Sequence, residues 1–61
     1  MELSDDEKKI IEILRLHGEL PVDLISVHAG MPVSQVSAHL LTIELAGIVR
    51  SLPGKMYKLT R

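Results

Sequence analysis

The stretch GMPVSQVSAHLLTIELAGIVR, residues 30–50, decides how this chain of 61 residues is read. Gly30-Met31 is a tight turn, and Pro32 suits the first turn of a helix, where a missing N–H costs nothing. From there apolar residues recur at helical spacing up to Ala46, and Gly47 closes the segment. At 100° per residue Val36, Leu40, Ile43 and Gly47 share one narrow sector, which is expected to face the core. Ile48-Val49-Arg50 then switches to extended character. A helix entered through a tight turn and leaving into a strand has the layout of a DNA-recognition helix. Yet no Lys or Arg occurs anywhere from Leu16 through Val49.

Working outward, Leu3-Ser4-Asp5-Asp6-Glu7 reads as a helix start. Ser4 is placed to cap, Glu7 completes an S-x-x-E capping box, and the acids suit the positive end of the helix dipole. Ile10, Ile11, Ile13, Leu14 and Leu16 form a wide apolar face, and Gly18 fits a left-handed stop, giving a helix over about 5–17. Glu19-Leu20-Pro21 is extended, and Pro21 limits it to a brief edge strand. A second helix spans about 22–29, with Leu24, Ile25 and Val27 apolar and Gly30 as its stop. In the tail, residues 48–59, Pro53-Gly54 matches the central pair of a type II turn, which makes a hairpin. Strand alternation puts Met56 and Lys58 on one face and Tyr57 and Leu59 on the other. The order α-β-α-α-β-β is that of a winged helix-turn-helix, mainly α with a small β-hairpin, built as a single domain over residues 1–61.

Composition narrows the function classes. Apolar residues make up 46% of the chain, Tyr57 is the lone aromatic, and there is no Cys. The chain is globular in composition and holds no disulfide or thiolate-bound zinc. No apolar run reaches membrane-spanning length and no secretory segment follows Met1, which points to the cytoplasm and to no membrane partner. All eight acids fall in residues 1–49 beside only Lys8, Lys9 and Arg15, whereas Arg50, Lys55, Lys58 and Arg61 stand in the tail with no acid. His17, His28 and His39 recur every eleven residues, but Gly18 and Gly30 interrupt the chain between them, so the spacing gives no shared face and no metal site. Asp5-Asp6-Glu7 is a helix start rather than an acidic metal cluster. No phosphate loop or nucleophile-base pattern is present, and so small an interior shelters no dry pocket. The expectation is a non-enzyme with no cofactor, no metal and no small-molecule substrate.

The face of the third helix opposite its core sector carries Ser34, Ala38, Leu41 and Leu45, at i, i+4, i+7 and i+11. A groove-reading helix places Arg, Lys, Asn or Gln there. Only Gln35 and His39, at the edges of the sector, offer hydrogen bonds to a base. The spacing is instead that of a seam for another helix or an apolar groove. Ser34, Ala38, Leu41 and Leu45 are therefore the expected partner-binding residues, with a neighbouring domain, a second copy or another protein as the partner. The competing arrangement tucks Leu41 and Leu45 against the wing or the first helix of the same molecule. The alternative function is weak, sequence-independent binding of single- or double-stranded DNA by the hairpin. Arg50, Lys55, Lys58 and Arg61 would meet phosphates and Tyr57 would stack on a base. Three or four phosphate contacts give a logarithmic salt slope of about −3, a loss of roughly fifty-fold between about 50 and 200 mM salt. The same cations also serve as charges that keep a hairpin edge from aggregating.

Three runs together resemble a known family: Met31-Pro32-Val33-Ser34-Gln35-Val36, then Leu40-Leu41-Thr42-Ile43-Glu44-Leu45-Ala46-Gly47-Ile48-Val49, then Leu52-Pro53-Gly54-Lys55-Met56-Tyr57. They are similar to the small C-terminal winged-helix domain of the bacterial DNA-processing protein DprA (Smf). The resemblance covers nearly all of residues 10–59 and is most specific where Glu44-Leu45-Ala46-Gly47 occurs with Leu52-Pro53-Gly54 and Tyr57. It implies a role in natural transformation, in which the full-length protein protects incoming single-stranded DNA and helps load the RecA recombinase. The main DNA-binding surface of that family lies in a preceding Rossmann-like domain, absent from these residues. The resemblance thus implies an accessory module, the C-terminal fragment of a longer protein, and assigns no catalytic residue.

Overall fold

A computed structural model describes residues 2–60 as three helices and a three-stranded antiparallel sheet. The elements are α1 (Asp5–His17), β1 (Glu19–Pro21), α2 (Val22–Ala29), α3 (Val33–Leu45), β2 (Val49–Leu52) and β3 (Met56–Leu59). Their order is that of the expected winged helix-turn-helix. The strands are arranged β1-β3-β2, so the hairpin gains a third strand and β3 is central. Glu19 pairs with Lys58 and Pro21 with Met56, while Val49 pairs with Leu59 and Leu52 with Met56. Pro21 is tolerated because β1 is an outer strand, where a missing donor breaks no ladder.

The core is aliphatic. Ile10 and Leu14 of α1, Ile25 of α2, Val36, Leu40 and Ile43 of α3, and Val49 of β2 are fully buried. Leu20, Tyr57 and Leu59 close it from the inner face of the sheet. Burying such side chains contributes roughly 1.5–3 kcal/mol each, which is what a chain this small relies on. Three residues of the expected apolar stretches lie outside the core. Leu16, at the end of α1, is exposed, and so are Leu24 and Val27, because α2 presents Ile25 and Ala29 inward, one step round the helix. Gly47 is exposed as well, and its place in the core sector is not realised. Its φ of +79° explains the glycine instead: the chain must leave α3 in a left-handed conformation that L side chains disfavour.

Helix ends follow local chemistry, with small departures. At α1 the Glu7 N–H donates to Ser4 Oγ (3.1 Å) and the Ser4 N–H donates to Glu7 Oε1 (3.0 Å), the reciprocal capping box. Gly18 has a positive φ of 87°, but its ψ of −83° is not the left-handed helical value expected. Pro32 is the N-cap residue of α3, with ψ 150°, rather than its first helical residue. Between α2 and α3 the turn is tied by the Ser26 hydroxyl, which donates to the Met31 carbonyl. The Lys9 ammonium donates to the Ala29 carbonyl (3.2 Å), placing a cation at the negative end of α2.

One contact joins the outer helices of the core. His39 Nδ1 of α3 lies 3.2 Å from Glu7 Oε2 of α1, and its Nε2 lies 3.7 Å from Asp6 Oδ2. Glu7 is 8% exposed and serves both the cap and this contact. The Ser4 backbone N–H, and secondarily the His39 hydrogen bond, hold the Glu7 carboxyl below the ordinary glutamate range. The wing turn holds a further departure. The loop Pro53-Gly54-Lys55 has three residues, with positive φ at Gly54 (84°) and also at Lys55 (59°). Gly54 meets the type II expectation, whereas the left-handed lysine has no counterpart in the sequence reading.

Two outcomes follow from these ends. A carboxyl whose folded pKa is depressed stabilises the fold above its unfolded value and loses that stabilisation as pH falls through the folded value. Glu7→Gln therefore lowers the melting temperature at neutral pH, and the gap to the natural chain closes as pH drops below about 4.3. Thermal unfolding across a pH series measures this. At Lys55, relief of left-handed strain of about 1–2 kcal/mol outweighs the extra entropy loss of glycine, about 0.5–1 kcal/mol. Lys55→Gly accordingly raises stability by about 0.5–1 kcal/mol, a few degrees in thermal unfolding.

Candidate interaction face and wing

The core stripe of α3 determines what its other side shows. With Val36, Leu40 and Ile43 facing inward, Ser34, Ala38, Leu41 and Leu45 face solvent together. Leu41 is 58% exposed and Leu45 80%, so neither tucks against the wing or α1. The strip is uncharged along its length. Glu44 borders it, and its carboxylate accepts from the Ser51 hydroxyl of the wing (3.1 Å). Gln35 is exposed and free to hydrogen-bond. His39 is not equivalent, since its ring is turned to Glu7 and Asp6, away from a docked groove.

The wing residues separate into two places. Arg50 and Lys58 are cross-strand partners on the outer sheet face, where Glu19 pairs with Lys58 from the other side. Tyr57 lies on the inner face, half-buried against the core. Lys55 is near Tyr57 at a shallow cleft also lined by Val22, Asp23, Val33 and Ser37. A base stacked on Tyr57 would thus be on the opposite side of the sheet from Arg50 and Lys58. Arg61, the fourth cation, lies outside the described residues. The wing is anchored at its base by the Thr60 hydroxyl, which donates to the Gly47 carbonyl (2.8 Å).

Two features escaped the sequence reading. His17 and His28 come together as stacked rings with centroids 4.4 Å apart, although the intervening Gly18 had suggested no common face. The short α2 brings the ends of α1 and α2 side by side, which an eleven-residue spacing does not reveal. His39 is elsewhere, and among the described residues no group of three or more His, Cys, Asp or Glu is placed to hold a metal ion. Leu16, Leu24 and Val27 form further exposed apolar positions. For Leu24 and Val27 the signal was the choice of inward face on an eight-residue helix, where two apolar registers compete. No described helix is long and apolar enough to cross a membrane.

The architecture has close counterparts. The crystal structure of NadR in complex with 4-hydroxyphenylacetate superposes with a TM-score of 0.91 at 27% identity, covering 97% of this chain and 46% of that one. Ligand-free NadR gives 0.85 at 26% identity, covering 95% of this chain and 44% of that one. This chain therefore spans less than half the length of either neighbour. No curated protein matches it. The profile of the DprA winged helix domain matches residues 1–55. That match takes in the helix-turn-helix, the runs at residues 31–36 and 40–49 and the Leu52-Pro53-Gly54 wing turn, so the chain belongs to the DprA winged-helix domain family.

Proposed function

We propose that this domain is a non-catalytic accessory module of a DprA-type DNA-processing protein, and that it works by protein contact through the outer face of α3. The observation that carries this reading is the exposure of Leu41 and Leu45 on a helix with no Lys or Arg. A duplex-binding helix draws most of its affinity from cations on phosphates and its selectivity from polar side chains on base edges. Ser34, Ala38, Leu41 and Leu45 supply neither. An uncharged apolar strip bordered by polar residues is the form of a protein-docking surface. In the full-length protein, which would protect single-stranded DNA and load the recombinase in the cytoplasm during natural transformation, the module would position one protein part against another.

A second reading rests on the outer face of the sheet. Arg50 and Lys58 side by side, without an acid between them, favour weak contact with phosphates of single- or double-stranded DNA. Glu19 beside Lys58 offsets part of that charge. With Tyr57 on the other face, this contact is one of charge alone, free of base stacking.

Leu41→Glu separates a docking residue from a core residue. As a surface change it leaves thermal stability within about 0.5 kcal/mol, whereas Leu40→Glu unfolds the domain. Placed in the full-length protein, Leu41→Glu lowers transformation frequency on the order of tenfold, the effect of losing about 1.4 kcal/mol of contact energy. A folded variant with undiminished transformation, or an unfolded one, contradicts the reading.

A further inference from the structure

Side-chain size changes along the exposed strip of α3. Its first half carries Ser34 and Ala38, and its second half carries Leu41 and Leu45, exposed by 58% and 80%. At 3.6 residues per turn the four positions fall within about 60° of arc, over a helix about 20 Å long. Such a gradient is complementary to itself in one direction only. When two copies of the helix lie antiparallel, with a two-fold axis between Ala38 and Leu41, Leu45 of each meets Ser34 of the other. Leu41 of each likewise meets Ala38 of the other. Large side chains enter the low ground left by small ones, as close packing requires. A parallel arrangement stacks leucine on leucine at one end and leaves a gap at the other.

The bordering groups agree with the antiparallel arrangement. At 100° per residue Thr42 and Gln35 flank one side of the strip, and Glu44 and Ser37 the other. Reversal of direction sets Thr42 across from Gln35 and Glu44 across from Ser37. Each carboxylate then faces a hydroxyl rather than another carboxylate. No cation stands on α3 to repel its own copy.

We infer that the strip Ser34/Ala38/Leu41/Leu45 docks onto the same strip of a second copy of this chain, in an antiparallel two-fold contact. The inference rests on reading the strip as a protein-contact surface. Its strength follows from its extent. One helix face of this length covers well under the roughly 800 Å² per partner of a standard stable interface, which puts the pair among weak, transient contacts. Contact of this strength is absent in dilute solution and gains effect where copies are already held together, because a second, linked contact is formed at high effective concentration. The closed two-fold geometry leaves no free strip behind and so ends at two copies.

Sedimentation equilibrium of the 61-residue chain tests this over roughly 50 µM to 2 mM, the concentrations at which a weak pair of this kind forms. The weight-average mass rises with concentration from 6.8 kDa toward twice that value. Leu45→Glu stays at the single-chain mass throughout. Adding Ser34→Lys to Leu45→Glu in the same chain restores association, because each introduced ammonium then faces an introduced carboxylate of the other copy. In a parallel pair the same double change would set like charges together. A natural chain that keeps the single-chain mass at the highest concentration overturns the inference. So does a folded double variant that associates no better than Leu45→Glu alone. If the natural chain stays single while Leu41→Glu folds and still depresses transformation, the strip contacts a different protein and only the self-pairing falls. If Leu41→Glu unfolds the domain, both fall.

Discussion

The burial of Val36, Leu40 and Ile43 beneath α3 is the constraint from which the other features derive. A helix of thirteen residues cannot choose its outer face independently of its inner one. Once these three side chains close over Ile10, Leu14, Ile25 and Val49, Leu41 and Leu45 have no core left to reach. The contact between His39 and Glu7 reinforces the same rotational setting of α3 against α1, since it joins a residue on the flank of α3 to the first turn of the opposing helix. Rotating α3 by one residue step would bury Leu41 but strand His39 and expose part of the aliphatic core.

The wing is subordinate to that packing. Gly47 turns the chain out of α3, Val49 enters the core, and every second residue of β2 and β3 is then assigned to the inner or outer face. Strand alternation thereby divides Arg50 and Lys58 from the aromatic ring, while Lys55 stays beside it at the wing turn. Tyr57 is drawn inward because a small domain without other aromatic residues has need of its surface, and Arg50 and Lys58 are left outward. The module has the outline of a groove-reading domain while its chemistry is arranged otherwise: an oily helix face, and a pair of cations on a different surface.

Much of this was legible in the residues. The capping box at Ser4 and Glu7, the glycine exits at Gly30 and Gly47, and the 36, 40, 43 stripe each have one strong local cause, so the element order and the outward sector of α3 followed. The residues alone left open whether Leu41 and Leu45 tuck against the wing or α1. What was not legible depends on distance in space or on competition between equal choices. In α2, Leu24 and Val27 made as good an apolar face as Ile25 and Ala29, and only the position of α1 and α3 decides between them. The pairing of His17 with His28 and of His39 with Glu7 joins residues from different helices, to which no periodicity applies. The left-handed Lys55 runs against residue preference and is imposed by the three-residue closure of the wing. The addition of β1 to β3 was foreseen only as a short edge strand, since its partner is fixed by topology rather than by its own three residues.

On the proposed reading, the outer side of α3 is unsuited to nucleic acid. Residue-by-residue NMR titration of the dilute domain with single- and double-stranded oligonucleotides at low salt tests it most directly. The expected result is that amide and methyl signals of Ser34, Ala38, Leu41 and Leu45 stay in place, with any shifts confined to Arg50, Lys58 and their strand neighbours and abolished by added salt. Saturable shifts centred on α3 that persist near physiological salt and depend on the base sequence would contradict it.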